Sequence, residues 1–180
     1  MLQYLGLLLV VFSWLSGAFA YYKLRHDRYV TISQSAASSR QASRYFIAIL
    51  IGCGGLFYLW LVGWFVPHLV LGNIFIVLLT ITIVLQFLTA VTLGRVGRQQ
   101  QVHRLAAYAM AGLYIPLAVL IASSPRISDI AQHLAIIGTV YMLISFLIVA
   151  LLKKIRGHYL LFEVMYIVTF QLIILAAAYL

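Results

Sequence analysis

The chain has 180 residues, of which 65% are hydrophobic and only 8% charged, whereas an ordinary soluble domain is about 25% charged. This composition excludes a soluble globular protein and indicates a single polytopic membrane domain over residues 1–180. The net charge of +9 lies in short segments between apolar runs, which indicates contact with anionic lipid headgroups. Nucleic acid is therefore not expected as a partner.

Six apolar runs are long enough for membrane helices, which need roughly 20 residues each. They cover about residues 2–22, 45–66, 69–93, 105–123, 130–152 and 158–180. Short connections favour antiparallel neighbours, so the sequence predicts an all-α polytopic membrane protein with a six-transmembrane-helix up-down bundle. The first run lacks the cationic start of a secretory signal peptide and is longer than its usual apolar region. We therefore expect a span there, although residues 16–20 resemble a cleavage site.

The cations are distributed unevenly between the connections. Segments 23–44, 94–104 and 153–157 carry 11 of the 12 Lys and Arg residues, and Arg126 is the twelfth. The positive-inside rule places these three segments in the cytoplasm. We therefore expect extracytoplasmic N- and C-termini.

Prolines and glutamines give further structural expectations. Pro67 and Pro125 predict the turns after the second and fourth spans, and Pro116 should kink the fourth helix. Gln86 and Gln171 lie deep in their spans, where uncharged amides can hydrogen-bond between helices. We expect both to be structural.

Glu163 is an acid inside an apolar run. A carboxylate in hydrocarbon is costly unless it is paired or neutral, so it suggests function by default. Asp27, Ser33 and His103 fall on the same predicted side and could converge with Glu163 in a membrane-embedded hydrolase. The competing interpretation is a structural ion pair or a helix-packing hydrogen bond. Neither a G-x-S-x-G nor an H-E-x-x-H motif occurs, and no metal site is expected.

Four of the five histidines open a predicted span, in the order His68, His103, His133 and His158. In an up-down bundle the third and fifth spans are diagonal, and so are the fourth and sixth. The result is one histidine pair near each membrane face, as in bis-histidine haem b sites. These histidines lie close to the headgroups, whereas haem prefers a buried apolar slot. We therefore expect no cofactor and keep haem b as the alternative.

Three short motifs resemble those of domain-of-unknown-function family 998, six-span membrane proteins of bacteria and archaea related to the Frag/DRAM/Sfk group. The motifs are Thr-Ile-Ser at residues 31–33, His103 before the fourth span and Glu163 early in the last span. The chain departs from the family pattern at Val164, where the family tends to have an arginine. The resemblance implies a prokaryotic cytoplasmic membrane, with Ser33, His103 and Glu163 on one membrane face. It implies no particular reaction.

Three functional hypotheses follow from these patterns. The leading one is a non-catalytic integral membrane protein that acts through contact with the lipid bilayer, or as a small subunit packed against a membrane-protein partner or its own copies. The alternatives are a haem b electron-transfer protein and a membrane-embedded hydrolase. Whether the protein is an enzyme stays open at this point.

Overall fold

The computed structural model describes residues 2–24, 39–92, 98–151 and 159–180. Within these ranges the chain forms six helices that are long and apolar enough to cross a membrane, which confirms the predicted all-α architecture. The helices are α1 (Leu2–Leu24), α2 (Arg40–Leu69), α3 (Asn73–Val91), α4 (Arg98–Ala122), α5 (Asp129–Leu151) and α6 (Tyr159–Tyr179). The length and hydropathy of these helices indicate an integral membrane protein.

Helix α2 is irregular near its end. It is α-helical over Arg40–Trp60, π-helical over Leu61–Phe65 and α-helical again over Val66–Leu69. The predicted turn at Pro67 is wrong, because this proline lies inside the last helical segment and the chain turns just after Leu69. In the π-helical segment the backbone hydrogen bonds span five residues and not four, as where Val66 donates to the carbonyl of Leu61. Pro125 lies in the α4–α5 connection, as predicted. Pro116 lies inside α4, which continues through it from Arg98 to Ala122.

The helices alternate in direction, and each packs against the next along the chain. Contacts between α1 and α6 show that these two are antiparallel: the Tyr179 hydroxyl meets Gln3 and Leu7, whereas Gln171 meets Ser13 and Trp14. Helix α6 also contacts α2, α4 and α5, so it lies at the centre of the packing. We call the end where α2, α4 and α6 begin the basic end, and the opposite end, with both chain termini, the terminal end.

Helix α5 illustrates how the residues divide between the inside and the outside of the bundle. Ile130, Ile137, Ile144 and Leu151 are 52–74% exposed and recur every seven residues, so they form one outward face. The inward face consists mostly of small residues, namely Ala131, Ala135, Gly138, Met142 and Ser145. Hydrocarbon solvates exposed aliphatic side chains, whereas close approach of helices needs small side chains between them.

Candidate functional site

His103 is anchored at the basic end of the bundle. Its Nδ1 lies 3.0 Å from the carbonyl oxygen of Thr89 and 3.3 Å from Thr92 Oγ1. Because a carbonyl oxygen can only accept, Nδ1 carries the proton, and Nε2 of the neutral ring holds a lone pair. His103 on α4 therefore donates to a carbonyl in the last turn of α3, where backbone acceptors lack helical partners.

Glu163 lies at the same end of the bundle, in the second turn of α6, and is half-buried. Helices α4 and α6 are in contact, and His103 and Glu163 each lie near the start of their helix. Two members of the predicted polar site are thus brought to one end. The other two, Asp27 and Ser33, lie outside the described residues.

The other histidines occupy separate places. His68 lies in the last turn of α2 and does not open α3 as predicted; its ring stacks on Trp64 with centroids 4.7 Å apart. His133 is exposed on α5, and its Nδ1 lies 2.6 Å from the carbonyl of Asp129, one turn earlier. His158 lies outside the described residues. Within the described ranges, no group of three or more His, Cys, Asp or Glu side chains could hold a metal ion.

Polar side chains near the middle of α1 and α6 join these two helices. Trp14 Nε1 donates to Gln171 Oε1 at 2.5 Å, and Gln171 Nε2 donates to Ser13 Oγ at 3.2 Å. Ser13 in turn donates to the carbonyl of Val10 at 2.8 Å. Each polar atom of the Gln171 side chain therefore has a partner on another helix.

A second glutamine joins α3 to α2. Gln86 Nε2 donates to the carbonyl of Leu50 at 2.9 Å. The amide can come this close because residue 54 is glycine, where a Cβ would overlap the amide nitrogen of Gln86. The prediction that Gln86 and Gln171 form interhelical hydrogen bonds is confirmed.

Aromatic residues join α4 to α6 in the middle of the bundle. The Tyr166 hydroxyl donates to the carbonyl of Ala111 at 2.6 Å. The Tyr114 and Phe170 rings lie 4.3 Å apart, which fills the space beside this bond. The Tyr166 bond therefore ties α6 to the backbone of α4.

A column of stacked rings follows α2 towards the terminal end, through Phe57, Trp60, Trp64 and His68. Successive centroids are 5.6, 5.4 and 4.7 Å apart. Trp60 is 2% exposed, and its Nε1 donates to the carbonyl of Leu2 at 2.9 Å. These contacts fix the start of α1 against α2, so the first span is a packed member of the bundle.

The sequence did not indicate three of these contacts. Trp14 and Tyr166 look like ordinary apolar residues of their spans. Gly6, whose missing Cβ leaves room for the ring of Trp60, lies in a leucine-rich run without a recognisable motif. Their partners are more than 50 residues away along the chain. Only the assembled bundle brings such pairs together.

Comparison with known protein families, with curated protein sequences and with solved structures finds no match for this chain. The resemblance to family 998 therefore stays a prediction.

Proposed function

We propose that this protein is a non-catalytic integral membrane protein that acts through its contacts with lipids and with other membrane proteins. One observation carries the proposal. In the ranges 2–24, 39–92, 98–151 and 159–180, every buried side-chain nitrogen or oxygen has a hydrogen-bond partner. The glutamines and Tyr166, which lie well inside their helices, form bonds between helices. Polar groups used in this way stabilise helix packing.

The orientation in the membrane is part of the proposal. We propose that the basic end faces the cytoplasm, because segments 23–44, 94–104 and 153–157 carry 11 of the 12 cations. Both termini are then extracytoplasmic. Reporter fusions after Arg98 and after Leu180 should give opposite signals, with the Leu180 fusion active only for a reporter that works outside the cytoplasm. A cytoplasmic signal at Leu180 would contradict the orientation.

Haem b is the second candidate. In two histidines one ring nitrogen contacts the backbone, and the other ring nitrogen could bind iron. Nδ1 of His103 and Nδ1 of His133 each contact a backbone carbonyl oxygen, which leaves Nε2 as the acceptor. Histidines that bind metals commonly show this arrangement. His68 and His133 are exposed, however, whereas haem needs an apolar slot that excludes water. This exposure favours the non-catalytic proposal.

One preparation can distinguish these functions. The protein should be extracted into native-lipid nanodiscs, so that bound lipids and partner proteins stay attached. We expect no Soret absorption before or after incubation with haem, no labelling by a serine-hydrolase fluorophosphonate probe, and reproducible enrichment of a lipid class or a membrane-protein partner. A Soret band that disappears in His103→Ala would establish the haem alternative. Labelling that disappears in Ser33→Ala would establish the hydrolase.

A further inference from the structure

An open cavity of about 290 Å³ lies at the terminal end, between the α2–α3 turn and the end of α4. Residues 70–75 form one wall, and Leu120 with residues 123–125 forms the other. The cavity extends from the core to the outer surface, since its lining includes Phe75, which is 1% exposed, and Ile74, which is 69% exposed. Its lining is mostly apolar.

Hydrogen bonds hold the two walls together. Ser124 Oγ donates to the carbonyl of Leu69 at 2.5 Å and accepts the backbone N–H of Arg126 at 3.2 Å. Val70 follows with φ 54°, in the left-handed region that disfavours a β-branched residue. Leu71 N–H bonds to the carbonyl of Val66, which completes the closing turn of α2. The cavity is therefore part of a specified turn.

The surroundings of the cavity indicate a lipid as its occupant. Its mouth adjoins the outward faces of α3 and α4, where Ile74, Val77 and Val119 are 69%, 56% and 47% exposed. An acyl chain can thus enter from the bilayer without crossing water. These aliphatic residues continue the apolar surface that a membrane-spanning bundle presents to hydrocarbon.

The charges at the same end indicate an anionic headgroup. Arg126, directly after the lining residue Pro125, is exposed and is the one cation outside the three basic segments. Within the described part of the chain, only its backbone N–H takes part in a hydrogen bond, so its guanidinium is available. Helix α3 begins beside the cavity without a side-chain cap, so its positive end adds to the field there. Asp129, in the first turn of α5, is the nearest acid along the chain.

We propose that this cavity holds one acyl chain of a phospholipid from the leaflet at the terminal end, with the lipid phosphate bound to Arg126. A guanidinium can donate two parallel hydrogen bonds to a phosphate, which makes Arg well suited to this headgroup. The inference rests on the proposed function, because it names the lipid class for a protein that acts through lipid contact.

The test measures phospholipid binding by native mass spectrometry on delipidated full-length protein. The probe is dioleoyl-phosphatidylglycerol, and dioleoylglycerol, which has the same chains without phosphate, is the comparison. Gly72→Leu adds a bulky side chain at a lining residue of the cavity, and its Cβ meets nothing within 4 Å. Gly52→Leu is its control, with the same open space on α2. Arg126→Gln removes the charge, and Arg104→Gln is its control at the basic end.

We expect one tightly bound phosphatidylglycerol, with the affinity weakened about tenfold by Gly72→Leu and about tenfold by Arg126→Gln, as for one lost charge-assisted hydrogen bond. The controls should bind like the parent, and inorganic phosphate should not compete. For dioleoylglycerol, Gly72→Leu should weaken binding and Arg126→Gln should not.

Two results would overturn this inference. Binding unchanged in Gly72→Leu would place the lipid elsewhere, and a dimer that Gly72→Leu converts to monomer would make a second copy the occupant. Neither result touches the proposed function, which fails on a Soret band or a labelled serine. A haem protein or hydrolase could in turn still bind lipid at this cavity, so the two failures are distinguishable.

Discussion

Gly6→Ala should destabilise the bundle by adding a single methyl group to α1. A Cβ at residue 6 would lie 2.6 Å from Trp60 Cε2 and closer still to two further ring carbons. The Trp60 ring cannot retreat, because it stacks on Phe57 and Trp64 and donates to the carbonyl of Leu2. Relief requires α1 to move outward, which would lengthen that hydrogen bond.

The expected cost can be worked out from two terms. Overpacking of a filled interior costs about 1–3 kcal/mol, and a weakened hydrogen bond contributes on the order of 1 kcal/mol. The difference in helix propensity between glycine and alanine contributes little to this cost. The separated helix in hydrocarbon keeps its backbone hydrogen bonds, so α1 is helical both in the bundle and apart from it. We expect a loss of about 2 kcal/mol in the free energy of unfolding, measured by titration with a denaturing detergent in mixed lipid micelles.

Gly17→Ala is the matched control on the same helix, since a Cβ at residue 17 meets nothing within 4 Å. Its free energy of unfolding should stay within about 0.5 kcal/mol of the parent. The single substitution Trp60→Leu should lower stability. In the Trp60→Leu background, Gly6→Ala should cost less than in the parent, because the two positions share one contact. Equal stability of Gly6→Ala and Gly17→Ala would refute the packing of α1 against Trp60.

Three further substitutions test other parts of the bundle by the same titration. Gln171→Leu removes the acceptor of Trp14 Nε1 and should cost about 1 kcal/mol. Leu172→Ile on the exposed side should be neutral, and equal free energies of unfolding for the two variants would contradict the α1–α6 bond. Val70→Gly should raise stability by about 1 kcal/mol, because glycine adopts φ 54° freely; a loss would contradict the left-handed turn. Glu163→Gln should keep most of the stability because an amide still hydrogen-bonds, whereas Glu163→Leu should lose about 1–3 kcal/mol. Identical stabilities of the two variants would show that the carboxylate has no structural role.

Several sequence predictions depend on local properties, and the structure confirms those. The six apolar runs predicted six helices because the backbone in hydrocarbon must satisfy its own hydrogen bonds. Gln86 and Gln171 were recognisable because an amide at membrane depth needs a partner, and helices are the only neighbours available. The predicted turn at Pro67 failed because a preceding π-helical segment cannot be read from residue types alone.

The candidate site was less predictable than the fold. The sequence grouped His103 and Glu163 by counting spans, but it could not show that His103 donates to the carbonyl of Thr89. That contact depends on how α3 and α4 meet at the basic end. The cavity beside Val70 had no sequence signal, because its two walls come from turns about 50 residues apart.

The lengths and hydropathy of the apolar runs by themselves indicated a membrane protein with six antiparallel helices. The backbone of each segment must satisfy its own hydrogen bonds in lipid, so each span can be recognised separately. The tertiary structure alone decided which helix faces meet. In a chain that is 65% hydrophobic, nearly every helix face is apolar enough for lipid, so the sequence pattern hardly distinguishes inside from outside. Fit between individual side chains makes that choice, as where Gly6 admits the ring of Trp60 and Gly54 admits the amide of Gln86.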